Sequence, residues 1–169
     1  MSRFEPENNP HRVVEAYRRV PGDLPLVMVG GAPYASEFIR QFTADADPRV
    51  RFPGSIYGRG YRELQTHALA YVHATEVGGT HPALVEAMGY GNCVLVNDAP
   101  ENLEVAGEAG LYFSAAEPET LTELMTTIAG NKALSDKHSR QAAQRAAELY
   151  SWPSVTASYE SLIQHLARD

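Results

Sequence analysis

The sequence predicts an α/β fold: a doubly wound, Rossmann-like parallel sheet closed by a helical carboxyl-terminal tail. Three observations predict it. Short apolar runs alternate with amphipathic segments between residues 10 and 113, and that alternation calls for parallel strands joined by right-handed crossovers. The runs are apolar throughout, as strands covered on both faces must be. Beyond Pro118 only helical periodicity remains.

The strand candidates are PLVMVG (25–30), RVRFPG (49–54), LAYVHA (69–74), CVLVN (93–97) and LYF (111–113). Each is short, rich in β-branched or aromatic residues, and bounded by Gly, Pro or Asp. Between them lie helix candidates PHRVVEAYRRV (10–20), YASEFIRQF (34–42), GYRELQTHAL (60–69), PALVEAMGYG (82–91) and ENLEVAGEAG (101–110). The tail comprises PETLTELMTTIAGN, ALSDKHSRQAAQRAAELY and SWPSVTASYESLIQHLARD. Pro118 stands early in its helix, where a missing N–H is harmless. Trp152, before Pro153, is expected to anchor the last helix, and RQAAQRAAEL is expected to be a solvated face.

The 169 residues suit a single domain, and no linker divides them. A formal charge of −7 excludes a general nucleic-acid binder, which needs positive potential on its contact face. Local phosphate pockets remain open to it, because nearly all its basic residues are arginines, the better bidentate partners. The lone cysteine, Cys93, lies in a strand run and reads as a small core residue, consistent with a reduced, cytoplasmic setting. No apolar run approaches the roughly 20 residues of a membrane span. The histidines form no HxH or HxxxH pair, so no metal site is expected, and His73 reads as a core histidine at the end of its strand. No GxSxG elbow supports a serine nucleophile.

In a doubly wound sheet, ligands gather at the carboxyl ends of the strands. The turn after 25–30 reads GGAPYASE, which is neither GxGxxG nor GxxxxGK[ST], so no dinucleotide or P-loop cofactor is expected. Gly30 and Gly31 would bring backbone close to a ligand or form a plain turn. The turn after 69–74 is more pointed. In TEVGGTHPALVE, Gly78 and Gly79 leave room against the backbone at a helix start, where free N–H groups favour an anion. Thr80 caps that helix or donates to a phosphate, and Pro82 suits its first turn. Glu86, one turn in, could accept from a diol. A bland cap with a solvated glutamate explains the same spacing.

Taken in order, SRFEPENNPH (2–11), VRFPGSI (50–56), AYVHATEVGGTHPALVEAMGYGNCVLVND (70–98), EVAGEAGLYF (104–113) and SWPSVTASYESL (151–162) resemble the carboxyl-terminal, donor-binding domain of the group-1 retaining glycosyltransferases, which have the two-domain GT-B fold. The resemblance implies that residues 1–169 form a single nucleotide-sugar-binding domain. It further implies a fragment, lacking the amino-terminal domain that would be its partner and would recognise the acceptor. The ligand implied is a nucleoside-diphosphate sugar of UDP, GDP or dTDP type. Arg3 matches an arginine that neutralises the donor diphosphate. The family's lysine five residues on is Asn8 here, which removes half of that cationic clamp. Ser55, Ile56 and Tyr57 match the edge that holds the base, and Glu86 matches the second glutamate of an E-x7-E pattern, expected on the ribose. The backbone at Thr80, His81, Ala83 and Leu84 is then expected to face the diphosphate. The first glutamate of the pattern falls on Gly78, and the nearest carboxylate, Glu76, is the candidate to touch the transferred sugar.

The combination EPENN with VGGTHPALVEAM is similar to a bacterial branch that includes rhamnosyltransferases of polysaccharide assembly. Two other readings stay open: a nucleotide-sugar epimerase of GT-B fold, and a non-catalytic flavodoxin-like interaction domain, for which Asp98 would be the phosphoacceptor.

Overall fold

The computed structural model describes residues 2–167. Its strands are β1 (Leu26–Val29), β2 (Val50–Gly54), β3 (Tyr71–His73), β4 (Val94–Asn97) and β5 (Leu111–Phe113). The helices are α1 (Pro10–Tyr17), α2 (Ser36–Thr43), α3 (Gly58–His67), α4 (Pro82–Gly89), α5 (Pro100–Ala106), α6 (Pro118–Gly130), α7 (Lys132–Leu149) and α8 (Trp152–Leu166). Proline at the first position of α1, α4, α5 and α6 explains their sharp starts, because its fixed φ suits the first turn and its missing N–H has no partner to lose.

All strand pairs are parallel. The core lies on both sides of β4, whose residues are all buried. Cys93 and Leu95 join a cluster with Val13, Val14, Leu121 and Ile128 from α1 and α6. Val94 and Val96 join Leu84 and Met88 of α4, Val105 of α5 and Ala142 of α7. Side chains alternate across a strand, so a strand that feeds two cores has no polar face to show.

The sheet departs from the expected single array. The strands form two ladders, β1–β2 and β3–β4–β5, with Ser2 bridged in parallel to Gly30 at the open edge of β1.

The tail corrects two expectations. RQAAQRAAEL is not a solvated face: Ala142 and Ala146 of α7 are buried in the cluster with α4, whose small-residue contact lets the two helices approach closely. Arg145 donates from Nε to the Val105 carbonyl at 2.8 Å and from Nη2 to the Glu104 carbonyl at 2.7 Å, capping the end of α5 as a cation should. Trp152 does not anchor α8. It is 83% exposed, and α8 contributes no buried residue at all. Trp152, Tyr159, Ile163 and Leu166 recur at helical spacing, so α8 carries an apolar stripe with nothing packed on it among the described residues.

Candidate functional site

The parallel register brings the carboxyl ends of the strands to one edge, where segments 30–35, 54–57, 74–81 and 98–99 emerge. Gly30, Gly31 and Ser55 line one open hollow of about 500 Å³ there, together with Ser36 and Arg40. Ile56 packs over Gly60, whose Cβ position lies only 2.9 Å from Ile56 Cγ2. Tyr57 caps α3 and stands exposed.

Segment 74–81 is fixed by a knot of asparagines. Asn9, held at φ 51, donates from Nδ2 to the Ala74 carbonyl at 2.9 Å. The Thr75 hydroxyl donates to Asn8 Oδ1 at 3.0 Å, and the Glu76 amide donates to the Glu7 carbonyl at 3.0 Å. From the other side Asn102 donates to the carbonyls of Thr75 at 2.8 Å and Asn97 at 3.1 Å. Sequence reasoning missed Asn9, Thr75, Asn97 and Asn102. For Thr75 and Asn97 the one visible signal was a polar residue at the end of an apolar strand; Asn9, before α1, and Asn102, inside α5, carried none.

Asn8 has a structural role. Its Nδ2 donates to the Arg3 carbonyl at 2.9 Å and its oxygen accepts from Thr75, so it ties residues 2–9 to the end of β3. Arg3 is largely exposed, with Nη1 3.2 Å from Glu5 Oε1. Glu76 keeps an anchored backbone and an exposed side chain.

Three glycine and cap expectations are corrected. Gly30, at φ 140, has Ser2 backbone where a ligand would need room: a Cβ there would lie 1.9 Å from the Ser2 carbonyl oxygen. The room at Gly78, at φ 141, is taken by the His81 ring, 2.6 Å from a Cβ placed there. Only Gly79 of that pair opens onto free space. Thr80 does not cap α4; His81 is the N-cap residue, and no side chain accepts from the helix start. The Leu84 and Val85 amides both donate to the His81 carbonyl, at 3.0 and 3.1 Å, which withdraws Leu84 from the expected phosphate-facing set. Among the described residues the tip amides of Gly79, Thr80, His81 and Ala83 donate no hydrogen bond.

Below this tip the imidazole of His73 is buried, tilted against His81 with ring centroids 4.8 Å apart. Burial, reinforced by His81, pushes its pKa down to about 3, so it is neutral. Among the described residues its Nε2 and the Oδ1 of Asn102 are buried without a hydrogen bond of ordinary geometry, although the Asn102 side chain partly opposes the downward shift of His73.

Glu86 is exposed on α4 and does not stand alone. The Tyr61 hydroxyl, from α3, donates to its Oε2 at 2.6 Å. Gln65 Nε2 donates to Tyr61 at 3.0 Å, and Asn92 Nδ2 donates to Gln65 Oε1 at 3.0 Å. Burial and the Glu86 contact push the Tyr61 phenol up to about 12, so it remains a donor at any physiological pH. The relay fixes the carboxylate and leaves Oε1 without a hydrogen bond among the described residues. Among those same residues, no three of His, Cys, Asp and Glu come together to hold a metal ion.

A family model, described as glycosyl transferases group 1, matches residues 1–148. The chain belongs to that family. Membership sets aside the flavodoxin-like reading. This glycosyl transferase domain has the α/β fold of GT-B carboxyl-terminal domains. It is similar to the Anabaena protein HepE in complex with UDP, with TM-score 0.86 and 17% identity, over 100% of this chain and 48% of that one. HepE in complex with UDP-glucose gives TM-score 0.82 and 20% identity over the same 100% and 48%. The catalytic domain of cholesterol-α-glucosyltransferase from Helicobacter pylori gives TM-score 0.78 and 19% identity, over 89% of this chain and 96% of that one. No curated protein sequence matches the chain. It thus spans about half the length of the HepE chains. Among the described residues no helix of this domain is long and apolar enough to cross a membrane.

Proposed function

We propose that this domain binds the nucleoside-diphosphate-sugar donor of a retaining glycosyltransferase of polysaccharide or glycoconjugate synthesis. The observation that carries the reading is the Tyr61–Glu86 contact at 2.6 Å, one turn inside a helix whose tip amides are uncapped. The diphosphate lies on the amides of Gly79, Thr80, His81 and Ala83, where the helix dipole favours negative charge. Oε1 of Glu86 accepts from the ribose diol, and Ser55, Ile56 and Tyr57 border the base. Arg3 swings from Glu5 to the diphosphate. Charge building on the leaving diphosphate is stabilised by these preorganised groups, with little demanded of any general base.

Glu76 is the proposed contact to the transferred sugar, because its backbone is held beside Glu7 while its carboxylate is free to reach in. The His81 ring fills the place at Gly78 where the family has a carboxylate. One fewer acceptor at that point suits a deoxysugar, and rhamnose is the sugar we favour. The acceptor would belong to an amino-terminal domain of the same protein, which accounts for the bare apolar stripe of α8 as the surface that such a domain covers. Cys93 is the one cysteine of the sequence, and a reduced, cytoplasmic setting is part of the proposal.

Calorimetric titration with UDP, GDP and dTDP, then with dTDP-rhamnose, UDP-glucose and GDP-mannose, tests the reading. Binding of a nucleoside diphosphate with dTDP-rhamnose the tightest sugar donor is expected. Preference for UDP-glucose or GDP-mannose would reject the rhamnosyl assignment, and no binding by any would reject donor binding altogether. Turnover by the 169-residue chain alone would reject the need for a second domain.

A further inference from the structure

A carboxylate has two oxygens and a ribose has two adjacent hydroxyls, so an unengaged glutamate at residue 86 could accept from both. Here Oε2 of Glu86 already accepts from the Tyr61 hydroxyl at 2.6 Å, which leaves Oε1 for a ligand.

Tyr61 is not placed to yield. Its hydroxyl accepts from Gln65 Nε2 at 3.0 Å, and Gln65 Oε1 accepts from Asn92 Nδ2 at 3.0 Å. Asn92 Nδ2 also donates to the Ala87 carbonyl at 3.1 Å. Gln65 and Asn92 are 5% and 2% exposed, so this line of hydrogen bonds starts in the core and ends at the Glu86 carboxylate. The Tyr61 ring also packs edge-on against Tyr90, with centroids 6.3 Å apart. Swinging the hydroxyl away would take from buried Gln65 its acceptor, and an unsatisfied buried donor is costly.

A site rejects an analogue lacking a hydroxyl when the analogue leaves one of the site's polar groups unpaired. At Glu86 that penalty is absent on one side, because Tyr61 satisfies Oε2 whether or not a second ribose hydroxyl is present. We infer that Tyr61 stands in for the 2′-hydroxyl of the donor, so that the site takes 2′-deoxyribonucleoside diphosphates as readily as ribonucleoside ones. The 3′-hydroxyl, the one that both pentoses carry, goes to Oε1. Tyr61 acts through Glu86 as a positioning residue, and what it sets is tolerance of the pentose, whatever the base or the transferred sugar. This tolerance rests on the proposed placement of the donor ribose at Glu86.

Calorimetric titration of the 169-residue chain with UDP, 2′-deoxy-UDP and 3′-deoxy-UDP, which share base and diphosphate, provides the test. UDP and 2′-deoxy-UDP are expected to bind within about threefold of each other, and 3′-deoxy-UDP about tenfold more weakly, the loss of one charge-assisted hydrogen bond. Glu86→Ala should weaken UDP and 2′-deoxy-UDP by the same factor, since each gives that carboxylate one hydroxyl. Tyr61→Phe frees Oε2 for a second hydroxyl that only ribose has. It should therefore raise the preference for UDP over 2′-deoxy-UDP by about threefold or more, which the loss of a merely packing residue would not do. A larger wild-type preference for UDP, an unchanged ratio in Tyr61→Phe, or a greater loss for UDP than for 2′-deoxy-UDP in Glu86→Ala would each overturn the role of Tyr61 while leaving donor binding intact. No binding of either nucleotide would overturn donor binding and the role of Tyr61 together.

Discussion

The Tyr61 hydroxyl, 2.6 Å from Glu86 Oε2, ties helix α3 to helix α4 at the point where we propose that the donor ribose sits. A carboxylate held on one oxygen offers the other in a fixed direction, and loses less rotamer entropy on binding a diol. Tyr61→Phe should therefore weaken nucleoside-diphosphate binding by about 5- to 10-fold, the equivalent of roughly one hydrogen bond. Glu86→Ala should weaken it further, and the double variant should match Glu86→Ala alone. Calorimetry with UDP reads all three, and an unaltered affinity for Tyr61→Phe would show that the relay serves packing only.

Adjacent glycines at the end of β1 should behave oppositely. Gly30→Ala forces a methyl group onto the Ser2 carbonyl at φ 140, whereas Gly31 has open space at its Cβ position. Gly30→Ala should destabilise by about 1–3 kcal/mol or more. Gly31→Ala should stay within about 0.5 kcal/mol. Thermal unfolding of the two variants measures this, and equal midpoints would mean that Ser2 does not press on Gly30.

The order of strands and helices was legible because short apolar runs alternate with amphipathic ones, β4 being buried throughout, and proline marks the start of several helices. Glu86 was legible from its spacing behind a glycine-rich helix start. Tyr61 was not, because its tie to Glu86 joins residues 25 apart in sequence, on helices that only the crossover brings together. Gly30 and Gly78 show why a glycine alone is ambiguous: the chain reveals the missing side chain but not whether a ligand, a carbonyl or a histidine ring takes the space. Asparagines such as Asn9 and Asn102 look like solvated turn residues until the carbonyls they satisfy are in view. Trp152 was misread because an aromatic stripe marks a buried face whether its cover belongs to the same domain or to another.

His73 should make stability depend on pH. Its pKa lies near 3 in the folded chain, against about 6.5 when unfolded, so below pH 6.5 the unfolded chain takes up a proton that the folded chain refuses. Its contribution is complete above pH 6.5 and is lost progressively as pH falls toward 3, with a slope of up to about 1.4 kcal/mol per pH unit. His11, also lowered by burial, adds a smaller slope of the same sign. Asp47, held near 2 by hydrogen bonds from Arg49, and Glu119, lowered by its hydrogen bond from Arg19, act at lower pH, so unfolding measured between pH 7 and about 5.5 reads the histidines. His73→Phe should flatten most of that slope; an unchanged slope would place the titration elsewhere.

The last two helices should differ sharply in what they contribute to the isolated chain. Ala142 of α7 is fully buried against α4, so Ala142→Leu overpacks a close helix contact and should destabilise by about 1–3 kcal/mol. At this chain length that is a fall of roughly 2–12 °C in thermal midpoint. Removing residues 151–169 deletes a helix that buries nothing, and should move the midpoint by less than about 2 °C. The same deletion should abolish association with a separately produced amino-terminal domain, because it removes the stripe of Trp152, Tyr159, Ile163 and Leu166. Size-exclusion chromatography of the two halves reads that association. A large loss of stability on deletion would mean that α8 folds back onto its own domain, and its exposed stripe would no longer argue for a second one.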